Sequence, residues 1–214
     1  MDKGKGQVFD KNDTHGTQSC RRILDAALKE FSHHGMEGAR VDRIAREARV
    51  NKAMIYYYFS SKEKLYTEVL KAGIEVTIAS LKTRVAETDK LEDVLLTIQE
   101  GWGRAFLHYQ DVSKLLLREL ADPDSKVIPT LAEIISHSEM PLMIRRRFEN
   151  GVENGTLRSV DLRQAWVSFV TMNIGYCILS PLLDRVLGIT DHEQFVKERR
   201  PAVLDLFLNG VKTR

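Results

Sequence analysis

The chain has 214 residues, of which 43% are hydrophobic and 29% charged, so it can bury one large core or two small ones. Its net charge of +2 does not by itself indicate nucleic acid, and its two cysteines, Cys20 and Cys177, are predicted to be buried thiols in a reducing compartment. No apolar run approaches the ~20 residues that span a bilayer, and the N-terminal residues lack the apolar core of a signal peptide. The composition therefore favours a cytoplasmic protein with no membrane segment.

Hydrophobic periodicity predicts an all-α chain, because apolar residues recur at helical spacing and no alternating strand pattern or repeat occurs. Residues 1–16 have no apolar period and are predicted to be a flexible N-terminal arm. The predicted helices run over 17–35, from about 41, over 52–58, 60–86, 91–109 and 112–121, from about 126 with an interruption at Pro141, and over 162–187 and 192–211.

The first three helices, with a tight turn before the last, predict a helix-turn-helix over about 40–59, although three-helix units of other kinds have the same size. The third helix buries Ile55 and Phe59 and can therefore present its opposite side to a major groove. Ser60 and Glu63 have capping-box spacing at the start of a long fourth helix. A helix of that length could connect two domains.

Basic charge is concentrated in this region, where six basic residues between Arg40 and Lys62 outnumber two acidic ones. A lysine in the first turn of a helix opposes the helix dipole, so Lys62 is explained best by a DNA phosphate at that helix terminus. The exposed side of the third helix is predicted to contact base edges, the alternative being a merely solvated face. Its base-reading candidates are Lys52, Ala53, Met54 and Tyr57. Tyr58 either packs against the first helix or touches the DNA backbone.

Three consecutive segments resemble the N-terminal pattern of the tetracycline-repressor (TetR) family of bacterial regulators. They are RRILDAALKEFSHHG as the first helix, VDRIAREARVN as the second helix and turn, and KAMIYYYFSSKEKLY as the recognition helix running into helix four. The resemblance covers residues 17–70. It implies a DNA-binding domain over residues 17–77 and a helical ligand-binding and dimerisation domain over residues 78–214. It also implies that Tyr56 hydrogen-bonds a DNA phosphate, the alternative being that Tyr56 packs within the domain.

The chain departs from the family pattern at three places. Arg49 stands where glycine is usual in the turn, which costs about 1 kcal/mol if the backbone is left-handed and is tolerable if Arg49 reaches a phosphate. Ala39 and Arg40 replace the small hydroxyl residues before helix two, so a side-chain cap is lost, and the charge of Arg40 is expected to offset this loss on DNA. Ala53 replaces a glycine in the recognition helix, and its methyl could meet a thymine methyl.

The predicted helix over residues 162–187 is apolar nearly all round, so it must bury two faces. The resemblance implies that one face forms a homodimer through the last two helices, as a four-helix bundle. The other face could enclose an apolar or aromatic effector oriented by Asn173, although ordinary core packing explains the same residues. The predicted lining residues are Trp102, Phe106, Met143, Trp166, Phe169 and Met172. Gly101 and Gly103 flank Trp102 and indicate a bend or a close backbone approach there.

The leading hypothesis is a DNA-binding transcriptional regulator that is not an enzyme: a ligand-responsive repressor binding a palindromic operator in double-stranded DNA as a homodimer. The first alternative is a helical adaptor that binds protein through its aromatic surface, and the second is an all-α enzyme with an appended helix-turn-helix. The sequence contains no glycine-rich phosphate loop, no HExxH spacing and no clustered nucleophile and base. Its histidines lack the partner spacing of a metal site, so neither a metal nor a cofactor is expected.

Overall fold

The computed structural model describes the backbone of residues 15–108 and 110–213 and the side chains of residues 18–104 and 110–213. Within these ranges the chain forms ten α-helices, and its only β-type pairing is an isolated antiparallel bridge between Leu157 and Lys212, which confirms the predicted all-α class. The predicted flexible arm lies outside the described residues, apart from its last two, which belong to α1. The helices are α1 (His15–Gly38), α2 (Val41–Ala48), α3 (Lys52–Phe59), α4 (Lys62–Ala86), α5 (Leu91–His108), α6 (Gln110–Ala121), α7 (Ile128–His137), α8 (Met140–Glu153), α9 (Leu162–Leu187) and α10 (His192–Val211).

The helices form two compact units, one comprising Met1–Ile78 and Leu107–His137 and the other Ala79–Phe106 and Ser138–Arg214. The first unit therefore includes α6 and α7. The domain boundary predicted from the sequence, between residues 77 and 78, assigned both helices to the second domain. The difference arises because α6 and α7 bury apolar side chains against the helix-turn-helix core, with Leu115 fully buried there. Such a contact between distant segments leaves no local pattern in the sequence.

The core of the first unit is an apolar cluster to which the helices of the helix-turn-helix, α4, α6 and α7 all contribute. Its members with almost no exposed surface include Ile23, Phe31, Ile44, Ile55, Leu65 and Leu115. Phe31 on α1 meets Tyr66 on α4 edge to face, with the ring centroids 4.9 Å apart. Each short helix is thus held by the cluster rather than by its own hydrogen bonds.

Polar contacts attach α6 to α4 and α1. The Tyr66 hydroxyl donates to Glu119 Oε1 at 2.7 Å, and burial together with this carboxylate raises the pKa of the Tyr66 phenol above its usual value. Arg118 donates from Nη1 to the Phe31 carbonyl at 3.2 Å, close to the end of α1. There Gly35 has a φ of 68°, so the glycine interrupts α1 where the sequence predicts its end, although one more turn follows to Gly38.

The turn before α3 depends on two residues. Arg49 ends α2 in the left-handed conformation, with φ 55° and ψ 47°, which is the conformation that makes glycine usual at this position. Asn51 then accepts a hydrogen bond from the Ala53 N–H at 2.9 Å and caps α3. This cap was not among the sequence predictions, although asparagine just before a helix is its ordinary signal.

The turn after α3 corrects the predicted capping box. Ser60 has a φ of 58°, and its hydroxyl donates to the Phe59 carbonyl at 2.7 Å, so it does not cap α4. The cap is Ser61, whose Oγ accepts from the Lys64 N–H at 3.1 Å. The prediction of a Ser60–Glu63 box was wrong by one residue because two serines compete and the left-handed backbone of the first removes it from the helix end.

The second unit contains an aromatic core and a close helix contact. Phe207 meets Phe169 with ring centroids 5.1 Å apart and Phe148 at 6.3 Å, joining α8, α9 and α10. At Gly101 the backbone of α5 approaches the Leu81 side chain so closely that an added Cβ would overlap Leu81 Cδ2. The close backbone approach predicted beside Trp102 is therefore confirmed at Gly101.

The end of α9 is joined to the start of α10 by polar side chains. Asp184 accepts from the Tyr176 hydroxyl through Oδ1 at 2.7 Å, and its Oδ2 lies 2.8 Å from His192 Nδ1. The hydrogen bond from Tyr176, followed by that from His192, lowers the pKa of the Asp184 carboxyl. Arg199 stacks its guanidinium over the Tyr176 ring at 5.1 Å. These contacts fix the pairing of the last two helices.

Helix α9 carries a large apolar surface that the described chain does not cover. By length and composition it could cross a membrane, with a mean hydropathy of 1.4 over a window of which 17% is buried. The expectation that no segment is apolar enough to span a bilayer was therefore wrong, although one such helix is weak grounds for a membrane segment. The exposed apolar residues of α9 are Val167, Met172, Ile178, Leu179, Leu182, Val186 and Leu187.

Arg147 on α8 closes the C-terminal end of α4. Its Nη2 donates to the Thr88 carbonyl at 2.6 Å and to the Val85 carbonyl at 3.0 Å, and its Nη1 donates to the Met143 carbonyl at 3.1 Å. Only 11% of its side chain is exposed, so solvent cannot replace these bonds. One guanidinium thus satisfies carbonyls that the end of a helix leaves without partners.

Replacing Arg147 by methionine should lower the free energy of unfolding by about 2 kcal/mol, because the apolar stem is retained while buried carbonyls lose a charged donor. Urea denaturation followed by circular dichroism measures the change. Arg145, two residues earlier, is the matched control: it is 65% exposed and pairs with Glu149, so R145M should change stability by no more than about 0.5 kcal/mol. Equal effects of the two substitutions would contradict the assigned role of Arg147.

Candidate nucleic-acid interface

Helix α3 presents most of its aromatic surface outward. It is eight residues long and buries only Ile55 and Phe59, which lie one turn apart on its inner face. On the outer face Tyr57 is 84% exposed and Tyr56 43% exposed, whereas large aromatic residues are usually at least half-buried in a folded domain. Tyr58 is half-buried and packs against the core cluster, which favours the packing alternative for this residue.

The other base-reading candidates lie beside these tyrosines. Ala53 is exposed in the first turn of α3, and Met54 is half-buried. Lys52 is exposed but already paired, because its Nζ lies 2.9 Å from Asp42 Oδ1. The hydrogen bond to Asp42 raises the pKa of the Lys52 ammonium, so the lysine stays charged and must leave Asp42 in order to donate to a base.

Three phosphate-binding candidates, Arg40, Arg49 and Lys62, lie at the ends of α2 and at the start of α4. Within the part of the chain whose side chains are described, no carboxylate lies within 4.0 Å of their cationic groups. Both arginines are exposed, and Lys62 Nζ donates to the Glu37 carbonyl at 3.4 Å. That carbonyl lies near the C-terminus of α1, where a cation is favourable, so Lys62 has a local partner that the sequence did not reveal.

Glu30 on α1 supports this surface and was missed by the sequence predictions. Its Oε1 accepts the Arg40 N–H at 2.9 Å and pairs with Arg43 Nη2 at 2.7 Å. The first of these bonds satisfies the N–H of Arg40 before α2 but does not replace the missing hydroxyl cap, which would accept an N–H of the first turn of the helix. The second neutralises Arg43 and ties α2 to α1, which gives Arg43 a structural role.

The second unit brings together part of the predicted effector site. Trp102 on α5 lies 6.2 Å from Trp166 and 5.9 Å from Phe169 between ring centroids, and the last two rings are 5.8 Å apart. Met143 is half-buried on α8, and Met172 is exposed on α9. The side chain of Phe106 lies outside the described residues.

Asn173, the residue predicted to orient an effector, makes two hydrogen bonds within the second unit. Its Nδ2 donates to the Phe169 carbonyl at 2.7 Å, and its Oδ1 accepts from Gln99 Nε2 at 2.9 Å. Gln99, which the sequence predictions omitted, is 2% exposed. The only indication of its burial in the sequence is its position beside the apolar residues Leu95 and Ile98 of the same helix.

A helix-turn-helix formed by α2 and α3, in which α3 is exposed, and a second helical unit with an apolar surface are the features of a DNA-binding regulator of transcription. The sequence pattern of "Bacterial regulatory proteins, tetR family" matches residues 23–69. The HTH-type transcriptional repressor SCO4008 of Streptomyces coelicolor is 30% identical over 171 residues, which cover 78% of this chain and 81% of that protein. The chain therefore belongs to the tetR family, as its N-terminal segments predicted.

Other relatives agree over shorter stretches or in fold alone. The HTH-type transcriptional regulator RutR of Escherichia coli K12 is 38% identical over 82 residues, which cover 38% of this chain and 39% of RutR. The structure of FadR from Bacillus subtilis, in complex with stearoyl-CoA, matches 88% of this chain and 97% of its own with a TM-score of 0.70 and 18% identity. PfmR from Thermus thermophilus matches 95% of this chain and all of its own with a TM-score of 0.68 and 21% identity.

The left-handed arginine at position 49 gives a prediction in which stability and DNA affinity change in opposite directions. Replacing Arg49 by glycine should raise the free energy of unfolding by about 1 kcal/mol, because glycine adopts this backbone without the strain that a Cβ imposes. The same change should weaken DNA binding through loss of a cation. R49A is the control: it removes the charge but keeps the Cβ, so it should weaken binding equally and give no gain in stability. A gain for R49A as large as that for R49G would refute the strain argument.

Proposed function

We propose that the protein is a homodimeric, ligand-responsive repressor that binds a palindromic operator in double-stranded DNA. The observation that carries the proposal is the outer face of α3, where Tyr56 and Tyr57 are exposed. Among the described side chains, no carboxylate lies within 4.0 Å of the cationic groups of Arg49 and Lys62, which flank α3 in the chain. A phenol ring can pack against a base or hydrogen-bond a phosphate, and its exposure to water gives the free protein little stability. In this proposal the protein acts in the cytoplasm, where its DNA target lies.

In this proposal the residues of the interface divide into two groups. Arg40, Arg49, Tyr56 and Lys62 bind phosphates and set the affinity, whereas Lys52, Ala53, Met54 and Tyr57 contact base edges and set the sequence preference. A two-fold symmetric dimer requires two half-sites about one helical turn, ~34 Å, apart. A regulator with this role needs no catalytic residue, and we assign none.

The apolar surface of α9 supports the homodimer through α9 and α10. Leu182, Val186 and Leu187 are each more than 60% exposed in one chain, as is Leu206 on α10. Surfaces of this kind mark interfaces, and a second copy of the same two helices would cover them as a four-helix bundle. The hydropathy of α9 is then that of a helix buried between subunits.

An effector of the second unit would act by shifting the dimer between arrangements that fit and do not fit the two half-sites. Helix α4 is the proposed connection, because it begins at Lys62 in the first unit and ends at Ala86 in the second. The aromatic cluster around Phe169 supports an effector with an apolar part. FadR, which shares the fold, is known with stearoyl-CoA bound.

The DNA-binding role is tested by replacing Lys62 with alanine. K62A should weaken binding to a palindrome from the protein's own promoter region about tenfold at every sequence tested, and lower the slope of log K against log salt by about 1 per half-site. Fluorescence anisotropy at several salt concentrations measures both quantities. Lys64, exposed one residue beyond Glu63 and paired with Glu68, is the matched control. If K64A and K62A weakened binding equally, or if the wild type showed no salt-sensitive, sequence-selective binding, the proposed interface would be wrong.

The dimer is tested by placing a charge on the apolar surface of α9. Leu182 is 61% exposed, and L182E would bury an unpaired carboxylate in the proposed interface, which is expected to give monomers at micromolar concentration. Leu142 on α8 is 48% exposed, so L142E is a matched substitution outside that interface and should remain dimeric. Sedimentation velocity distinguishes the two species. A wild-type monomer, or an L182E variant that still sediments as a dimer, would exclude this interface.

A further inference from the structure

Gln99 on α5 has a hydrogen-bond acceptor that is buried and unpartnered. The residue is 2% exposed, and its Nε2 donates to Asn173 Oδ1 at 2.9 Å and to the Arg200 backbone carbonyl at 3.3 Å. Its Oε1 has no partner among the described residues. Buried amide oxygens are rarely left in this state, so the group calls for an explanation.

The orientation of this amide is fixed at both ends by main-chain groups. The Arg200 carbonyl can only accept, so the Gln99 atom that faces it must be the NH2 group. Asn173 is fixed in the same way, because its Nδ2 donates to the Phe169 carbonyl at 2.7 Å and its oxygen therefore faces Gln99. Turning either amide over would place oxygen against oxygen. The unpartnered atom is thus an acceptor that requires a donor.

Arg200 on α10 supplies an unpartnered donor near the same helix. Its Nε is buried without a hydrogen-bond partner, and among the described side chains no carboxylate lies within 4.0 Å of its guanidinium. The guanidinium lies against Gly103, where an added Cβ would be 3.5 Å from Arg200 Nη2. Gly103 follows Gln99 by four residues, so both groups lie on one face of α5. The guanidinium therefore contacts α5 one helical turn beyond the residue that carries the unpartnered acceptor.

Aromatic rings adjoin this polar pair. Trp102, on the same turns of α5, lies 5.9 Å from Phe169, and Phe169 is the residue whose carbonyl fixes Asn173. Trp102 and Trp166 are both half-buried, so each keeps part of its ring uncovered. The second unit therefore combines an unneutralised guanidinium, an unpartnered acceptor and partly uncovered tryptophan rings.

We propose that these groups bind a small aromatic carboxylic acid that carries a hydroxyl or N–H substituent. The carboxylate accepts from the Arg200 guanidinium, the ring lies against Trp102 and Trp166, and the substituent donates to Gln99 Oε1. Asn173 is a positioning residue that orients Gln99. The inference rests on the proposed ligand-responsive function and specifies its effector. A buried water can satisfy Gln99 Oε1, but only an anion pairs with the charge of Arg200, which is why we propose an acid as the ligand.

The two tryptophans of the chain are Trp102 and Trp166, so intrinsic fluorescence reports on this cluster alone. The probes are 4-hydroxybenzoate, 3-hydroxybenzoate and 4-hydroxyphenylacetate, each compared with its primary amide, and excitation is at the red edge of tryptophan absorption. At least one acid should change the emission saturably and bind about tenfold more tightly than its amide, because only the acid carries a charge for Arg200. Benzoate, which lacks the donor to Gln99, should bind more weakly than 4-hydroxybenzoate.

Substitutions assign the preference to Arg200. R200Q should remove the difference between acid and amide, and R200K, which keeps the charge without the fork of donors, should retain part of it. R146Q is the same substitution at an exposed arginine on α8 and should retain the full difference. The proposal is wrong if no acid produces a saturable change, if acid and amide bind equally, or if R200Q keeps the preference of the wild type.

Operator binding by the unliganded wild type separates this inference from the proposed function. If the wild type binds a palindrome but no acid, only the effector assignment fails. If an acid binds with the stated preference but no DNA is bound, the effector site stands and the repressor proposal fails. If both bind, the acid should release the DNA with a midpoint that follows its affinity measured by fluorescence.

Discussion

The burial of Ile55 and Phe59 is the contact on which the DNA-facing surface depends. An isolated helix of eight residues is unstable in water, so α3 exists only because these two side chains enter the core that α1 organises. Because the two inward positions are one turn apart, Tyr56 and Tyr57 between them face outward, while Tyr58 stays half-buried against the core. The exposure of Tyr56 and Tyr57 follows from this helix geometry, and the role that we propose for them depends on it.

The same unit uses several of its charges to hold itself together. Asp42 pairs with Lys52, and Glu30 pairs with Arg43, so the local excess of positive charge is smaller than the sequence suggests. The cationic groups of Arg40, Arg49 and Lys62 have no carboxylate partner among the described side chains, and these residues lie at helix ends. Arg49 also occupies a strained backbone position. A strained arginine at a site where glycine would be more stable is understandable if its side chain is needed, since strain of this kind persists mainly at functional positions.

The sequence could predict helices and turns, which depend on neighbouring residues, but not the contacts between residues that are far apart in the chain. The helix-turn-helix follows from apolar spacing, and the glycine at position 35 interrupts α1 as predicted. The cap of α4 was misplaced because Ser60 and Ser61 are chemically equivalent and only the backbone of the first distinguishes them. Gln99 and Asn173 are 74 positions apart, and no pattern along either helix indicates that one orients the other. Gln99, for which we propose a contact with the effector, therefore carries little signal of its own in the sequence.

The two faces of helix α9 have different surroundings: one is exposed and apolar, and the other is packed against aromatic rings. An apolar face as exposed as that around Leu182 is expected to be covered by another apolar surface. In a two-fold dimer the same face of a second copy can cover it, because both subunits then contribute the same patch. The opposite face is already covered by aromatic rings, but beside them the Gln99 oxygen is buried without a donor. A buried acceptor without a donor lowers stability, so a ligand that donates to Gln99 Oε1, as proposed, would recover that free energy on binding. The proposed second chain would thus cover one face of α9, and the proposed ligand would complete the other.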